Sequence, residues 1–276
     1  RRPRRKRKKT CSIGYNVAAI SRFPVRPQTR YCRARFNART RERWGLKMAD
    51  GFNGFVCTSA AIDAAIDARS MLKHPFYQAW EDGALTRDAL AAYARQYFHH
   101  VEAFPRAVSA VHANCPDAAG RKLLAENLAE EEGLGEGKQD HASLWLGFAA
   151  SLGSDEPAVR AETVNAETQH LIDTFRKLSR RSYASGLAAL YAYESQLPAI
   201  AKTKIKGLVE RYDLDEPRAL KFFHVHEYAD IEHADVYREL LDALPASERA
   251  EAHAAACELA DALRLFLTGI QRQTGM

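Results

Sequence analysis

Apolar residues recur every three to four positions almost everywhere after Thr58, the period of a helix with one buried face. Alternating β-branched runs of the kind that form strands are missing, and Ala, Leu, Glu, Lys and Arg dominate, residues that lose little on entering a helix. Prolines and glycines punctuate the pattern at Pro75, Gly83, Pro116, Gly153, Pro157, Gly186, Pro217 and Pro245. The spacing predicts helices near 59–73, 87–114, 118–132, 139–152, 157–181, 184–211, 217–243 and 247–272. Thr86-Arg87-Asp88 and Ser154-Asp155-Glu156-Pro157 have the chemistry of N-terminal caps. Pro105 and Pro198 fall inside long periodic stretches and are expected to kink helices rather than end them. There is no internal repeat. The expected fold class is all-α, a bundle of seven to eight helices.

Charge divides the chain in two. Residues 1–47 hold 17 Lys+Arg and one acid, a charge of +16, whereas from Met48 onward 23 bases face 34 acids, a charge of −11. The leader, opening RRPRRKRKKT, has no apolar period and cannot bury enough surface to offset chain entropy. Residues 1–58 are therefore expected to be disordered, and 59–276 to form one helical domain, ample for a buried core. A nucleic-acid arm, a transit peptide and a nuclear address all suit such composition. An extension upstream of a start at Met48-Ala49-Asp50 suits it better, and leaves nucleic acid without a role as partner. No apolar run approaches the ~18 residues of a membrane span. Cys11, Cys32, Cys57, Cys115 and Cys257 are widely spaced without a C-x-x-C pair, which points to reduced thiols and a cytoplasmic setting.

The chemistry begins in KFFHVHEYADIEHADVYREL. His226, Asp230 and His233 stand at i, i+4 and i+7, so at about 100° per residue they share one helical stripe. Two imidazoles and a carboxylate there form half of a site for iron, manganese or zinc. Two other segments can complete it. ENLAEEEGLGEGKQDHASLW offers Glu130, Glu131 and Glu132 at one helix end and His141 at the next helix start. AALYAYESQLPAIAKTKIKG places Glu194 among apolar and aromatic neighbours, where a carboxylate needs a partner or a metal. The first has ordinary alternatives: a glutamate run is usually a solvated helix end, and a single histidine usually caps or faces water. His224 and Glu227 point away from the stripe. His99, His100, His112, His170 and His253 lack such spacing and are expected at the core edge or surface.

FYQAWEDGALTRDALAAYARQYFHHVEAFPRAVSAVHANC, RKLLAENLAEEE, GLAALYAYESQLPAIAKTKIKGL and FHVHEYADIEHA together resemble the CADD family. These are heme-oxygenase-like di-metal oxygenases related to the TenA and PqqC families. The similarity runs from about Met71 to the end and omits the basic leader. It implies a heme-oxygenase-like bundle with a central pair of transition-metal ions, Fe/Fe or Mn/Fe, and the ligands Glu131, His141, Glu194, His226, Asp230 and His233. Ten positions separate Glu131 from His141 here, through Gly133, Gly135 and Gly137, a longer connection than the family usually has. Loops absorb insertions cheaply, but the choice among Glu130, Glu131 and Glu132 stays open, with Glu131 preferred.

The resemblance further implies an O2-dependent oxidoreductase that makes para-aminobenzoate for folate from a tyrosine of the protein itself, with an external reductant. Tyr77 matches the sacrificed tyrosine, Tyr193 a second site tyrosine, and Lys204 the source of the amino group. Taken alone, Tyr77 and Tyr193 read as core tyrosines. If Lys204 faces the metals, burial should favour its nucleophilic, uncharged amine, while Lys202 and Lys206 are expected in water. A PqqC-like oxidase has no need for six convergent ligands, and a TenA-like enzyme needs a pocket cysteine that these segments lack. A helical adaptor with a structural metal remains the non-enzymatic alternative. A homodimer is compatible with the sequence.

Overall fold

The computed structural model describes residues 58–275, so the leader and its expected disorder lie outside the described residues. Helices are α1 (Thr58–Ala68), α2 (Pro75–Asp82), α3 (Arg87–Asn114), α4 (Ala118–Glu131), α5 (His141–Ser151) and α6 (Glu156–Ala161). They continue as α7 (Ala166–Arg181), α8 (Tyr183–Glu194), α9 (Leu197–Arg211), α10 (Pro217–Asp242) and α11 (Arg249–Thr274). A 3₁₀ turn, Met71–Lys73, precedes α2, and no strand occurs among the described residues. The all-α expectation holds, but three of the eight expected segments are broken, each for an identifiable reason.

The stretch expected as one helix over 59–73 ends at Ala68, and α2 was not expected at all. Pro75 drives the preceding residue out of the helical region, and His74 is extended at φ −78°, ψ 138°. The His74 imidazole then accepts from Phe76 N and starts α2, which Gly83 closes in the left-handed conformation at φ 71°. The stretch 157–181 splits at Glu162–Asn165. Gln96 of α3, fully buried, holds that break: its amide donates to Thr163 O (2.9 Å) and Glu162 Oε1 (3.3 Å), and its oxygen accepts from Asn165 N and Thr168 Oγ1. Asn165 caps α7 through Thr168 N. The stretch 184–211 is interrupted at Ser195–Gln196, because Pro198 has no N–H to offer the carbonyl of Glu194. Pro105, by contrast, lies inside an unbroken α3. Thr86 and Asp155 cap α3 and α6 as their sequences suggest.

α8 is the centre of the bundle, packed against α11, α10, α7 and α3, with every residue from Ala184 to Glu194 buried. Beside it a belt of rings that includes Trp80, Tyr93, Trp145, Phe148 and Phe223, all fully buried, packs between α2, α3, α5 and α10. Gly207 of α9 lets Trp80 rest on the helix backbone, since a Cβ there would stand 2.6 Å from Trp80 Cδ1. Among the described residues no helix is long and apolar enough to cross a membrane. Leu187, fully buried on α8, tests this core: Leu187→Ala should lower unfolding free energy by about 2–5 kcal/mol, read by denaturant titration, and a loss under about 1 kcal/mol would show a core able to collapse around the gap.

Candidate metal centre

Four helices bring the six expected ligands together as two groups of three. Ligand atoms of Glu131, His141 and His226 lie within 4.8 Å of one another, and so do those of Glu194, Asp230 and His233. Glu131 is the last residue of α4, Glu194 the last of α8, and His141 the first of α5. Asp140 caps α5 by accepting from Ser143 N at 2.7 Å, which fixes the orientation from which His141 projects. His226, Asp230 and His233 share the inner stripe of α10. Of the three consecutive glutamates only Glu131 is buried: Glu130 is half-exposed and Glu132 is exposed.

Partner geometry leaves donor atoms turned inward. His226 Nδ1–H donates to Phe222 O at 2.7 Å, so Nε2 keeps its lone pair. His141 Nδ1 stands 2.8 Å from Glu131 Oε2 without a hydrogen-bonding arrangement, and Asp230 Oδ2 is buried with no partner. Glu194 is held from both sides, accepting from Asn127 Nδ2 (3.0 Å) and from Tyr237 O–H (3.2 Å). Three carboxylates crowded against three imidazoles in a buried space, with Asp230 Oδ2 left without a partner, suit a cation. Three carboxylates and three imidazoles suit iron or manganese, and three protein donors per ion leave positions open.

Charge makes the same argument. Burial pushes the Glu194 carboxyl up from its ordinary range, and pushes Asp230 up to about 7. Burial pulls His226 far down, helped by His141. It also pulls on His141 and His233, yet Glu131 lifts the first, and Asp230, Glu130 and Glu194 lift the second well above the ordinary imidazole value. Carboxylates crowded out of water resist ionisation, and bound cations would relieve them.

The three expected catalytic residues lie in one buried compartment beside these groups. Lys204 Nζ donates to the Tyr93 hydroxyl and sits 4.6–5.7 Å from the ring centres of Tyr77, Trp80, Tyr93, Tyr97, Trp145 and Phe223. Burial among rings holds its amine well below the ordinary lysine value, toward the uncharged form. Lys202 and Lys206 are exposed. The Tyr77 hydroxyl is 3.4 Å from that of Tyr93, and the Tyr193 hydroxyl 2.7 Å from that of Tyr97. Tyr93 and Tyr97 stack at 5.4 Å, linking the two pairs.

Sequence reading passed over Tyr93, Tyr97, Asn127 and Tyr237. Spacing carried a signal for three of them: Tyr97 lies four residues after Tyr93, Asn127 four before Glu131, and Tyr237 four after His233. His100 was expected at the core edge or surface. It is fully buried, stacked on Phe175 and edge-on to Tyr193, with Nε2 unpartnered.

Residues 91–266 match the family described as iron-containing redox enzymes, and the chain belongs to that family. It is 39% identical over 207 residues to a 4-aminobenzoate synthase of Chlamydia muridarum, covering 75% of this chain and 86% of that one. With a 4-aminobenzoate synthase of Nitrosomonas europaea the identity is 40% over 221 residues, covering 76% and 89%. A solved CADD-like protein of unknown function from Nostoc punctiforme shares the fold, with TM-score 0.66 at 20% identity over 79% of this chain and 98% of that one. A heme oxygenase-like domain from Shewanella denitrificans does so with TM-score 0.65 at 20% identity, over 78% and 90%. The heme-oxygenase-like fold and the CADD kinship expected from sequence both hold.

His100 gives this interior a pH signature. Burial holds it at about 3, whereas in the unfolded chain it titrates near 6.5. Its contribution is intact above pH ~6.5 and is lost as pH falls toward ~3, at up to about 1.4 kcal/mol per pH unit. His100→Phe should flatten the stability profile in that window, measured by denaturant unfolding at stepped pH; an unaltered slope would mean that His100 is protonated in the fold.

Proposed function

We propose that this chain is a dinuclear-metal oxygenase that forms 4-aminobenzoate, with the aromatic ring drawn from its own Tyr77 and the nitrogen from Lys204. The observation that carries this reading is the juxtaposition of two three-donor groups with a buried tyrosine and a buried lysine whose nitrogen lies 5.3 Å from the centre of that tyrosine's ring. The similarity to 4-aminobenzoate synthases at 39% and 40% identity supports the product.

Glu131, His141 and His226 would hold one ion, and Glu194, Asp230 and His233 the other. Iron or manganese bound there would supply the reduction of dioxygen, with electrons from an external reductant. Asn127 and Tyr237 hold Glu194 in one orientation, as partners of a ligand must. Tyr97 and Tyr193 offer a hydroxyl pair within electrostatic reach of Glu131 and Asp230, through which a proton can pass between the two rings. Tyr93 does the same for Tyr77, and it keeps the Lys204 nitrogen beside the Tyr77 ring. Trp80, Trp145 and Phe223 exclude water, so the Lys204 lone pair is free for bond formation.

The test uses the full chain loaded anaerobically with Fe(II) and Mn(II), then given reductant and oxygen, with mass spectrometry of products and peptides. Wild type should release 4-aminobenzoate and lose mass at Tyr77. Tyr77→Phe and Lys204→Arg should release none, and protein labelled with ¹⁵N-lysine should pass the label to the product. Oxygen uptake without product and with Tyr77 intact would sink the self-sacrificing reading and point to an external substrate.

A further inference from the structure

Of the six proposed ligands His233 alone is not fully buried, and its two ring nitrogens face different carboxylates. Nδ1 is 3.1 Å from Glu194 Oε2 and 3.4 Å from Asp230 Oδ1, while Nε2 is 3.1 Å from Glu130 Oε2. Glu130 and Glu131 are consecutive on α4, so their side chains leave the helix about 100° apart. Glu131 points into the bundle, and Glu130 stays at the rim with 38% of its side chain exposed. Its other oxygen, Oε1, accepts from Lys138 Nζ at 3.0 Å. Lys138 lies in the α4–α5 connection, whose glycines 133, 135 and 137 all have positive φ. A Cβ at Gly133 would stand 2.3 Å from Asp140 N, so the connection doubles back tightly on itself.

We propose that Glu130 is not a third carboxylate donor to its ion but the positioning residue for His233, accepting from Nε2–H and so presenting the Nδ1 lone pair to the Glu194–Asp230 side. Lys138 holds Glu130 in place from the solvent side. The inference rests on the two-ion reading above and adds which tautomer and which ring nitrogen of His233 that ion meets. An acceptor on the far nitrogen of a ligand imidazole fixes ring orientation and raises its basicity, and losing it typically weakens metal affinity about 10- to 100-fold. The exposed Lys138–Glu130 pair should matter much less.

The experiment is a double-variant cycle on the full chain, stripped of metal and titrated with Mn(II) by calorimetry and electron paramagnetic resonance, with circular dichroism to verify folding. His226→Ala disables one group and leaves one equivalent bound by the other. Adding Glu130→Ala to that background should weaken the remaining equivalent about 10- to 100-fold. Adding Glu130→Gln, which keeps an acceptor oxygen and the side-chain volume, should weaken it only a few-fold. In a His233→Ala background Glu130→Ala should change little. Equal losses for Glu130→Gln and Glu130→Ala would overturn the inference in favour of direct ligation. Undiminished affinity with Glu130→Ala, or an equal loss in both backgrounds, would overturn it while leaving the two-ion reading intact. Wild type that binds no Mn(II) would overturn that reading itself. Should Glu130→Ala fail to fold, Glu130→Leu, which keeps the bulk and removes the acceptor, takes its place: a loss of about 10- to 100-fold beside only a few-fold for Glu130→Gln supports the inference, and equal affinities overturn it.

Discussion

Three carboxylates share one buried space in this bundle, and the rest of the interior is organised around that concentration of negative charge. Glu131 and Glu194 each end a helix, where the macrodipole adds roughly half a negative charge. Asp230 adds a third acid with one oxygen unpartnered. An apolar core would be the cheaper solution for folding, because buried acids are expensive unless compensated. A chain that brings such groups together, from helices far apart in sequence, is shaped for something positively charged between them.

The surrounding architecture serves that centre. α8 can be buried on every side because its only buried acid, Glu194, is at its tip, next to the polar groups of α4 and α10. α10 is amphipathic in an unusual sense: its inner stripe is polar, His226–Asp230–His233–Tyr237, and meets the ring belt where His226 stacks on Phe222. The belt itself, built by α2, α3, α5 and α10, encloses Lys204 and Tyr77. Polar centre and aromatic compartment lie close together at the paired Tyr97 and Tyr193 hydroxyls of α3 and α8.

Much of this was legible in the sequence, and what was not follows a pattern. The α10 stripe was readable because all its residues sit in one helix, where spacing alone fixes the face. Glu194 was readable because a carboxylate amid Leu190, Tyr193 and Leu197 has no ordinary explanation. The break between α6 and α7 was not, since it is held by Gln96 from another helix. Helix α2 was missed because eight residues are too few to show a period, and its signals, Pro75 and Gly83, read equally well as a loop. The choice between Glu130 and Glu131 turns on the rotation of a helix end, which only packing decides. His100 looked peripheral because nothing local marks it for a nest of rings from α3, α7 and α8.

Helix α2 is fixed from outside itself. His74 caps it while its Nε2 pairs with Thr268 Oγ1 at 3.1 Å, Gly83 terminates it, and Trp80 donates to Lys204 O. None of these ties passes through the Tyr77 side chain. On the proposed chemistry, a chain that has given up its Tyr77 ring would keep the helix, the bundle and both groups of ligands. Spent and fresh molecules would then share one outline and differ in the gap left where the buried Tyr77 ring had packed, a loss of several kcal/mol of stability. Protein abundance in a cell would report how often this chain has been made, and only the state of one side chain would report how much capacity remains.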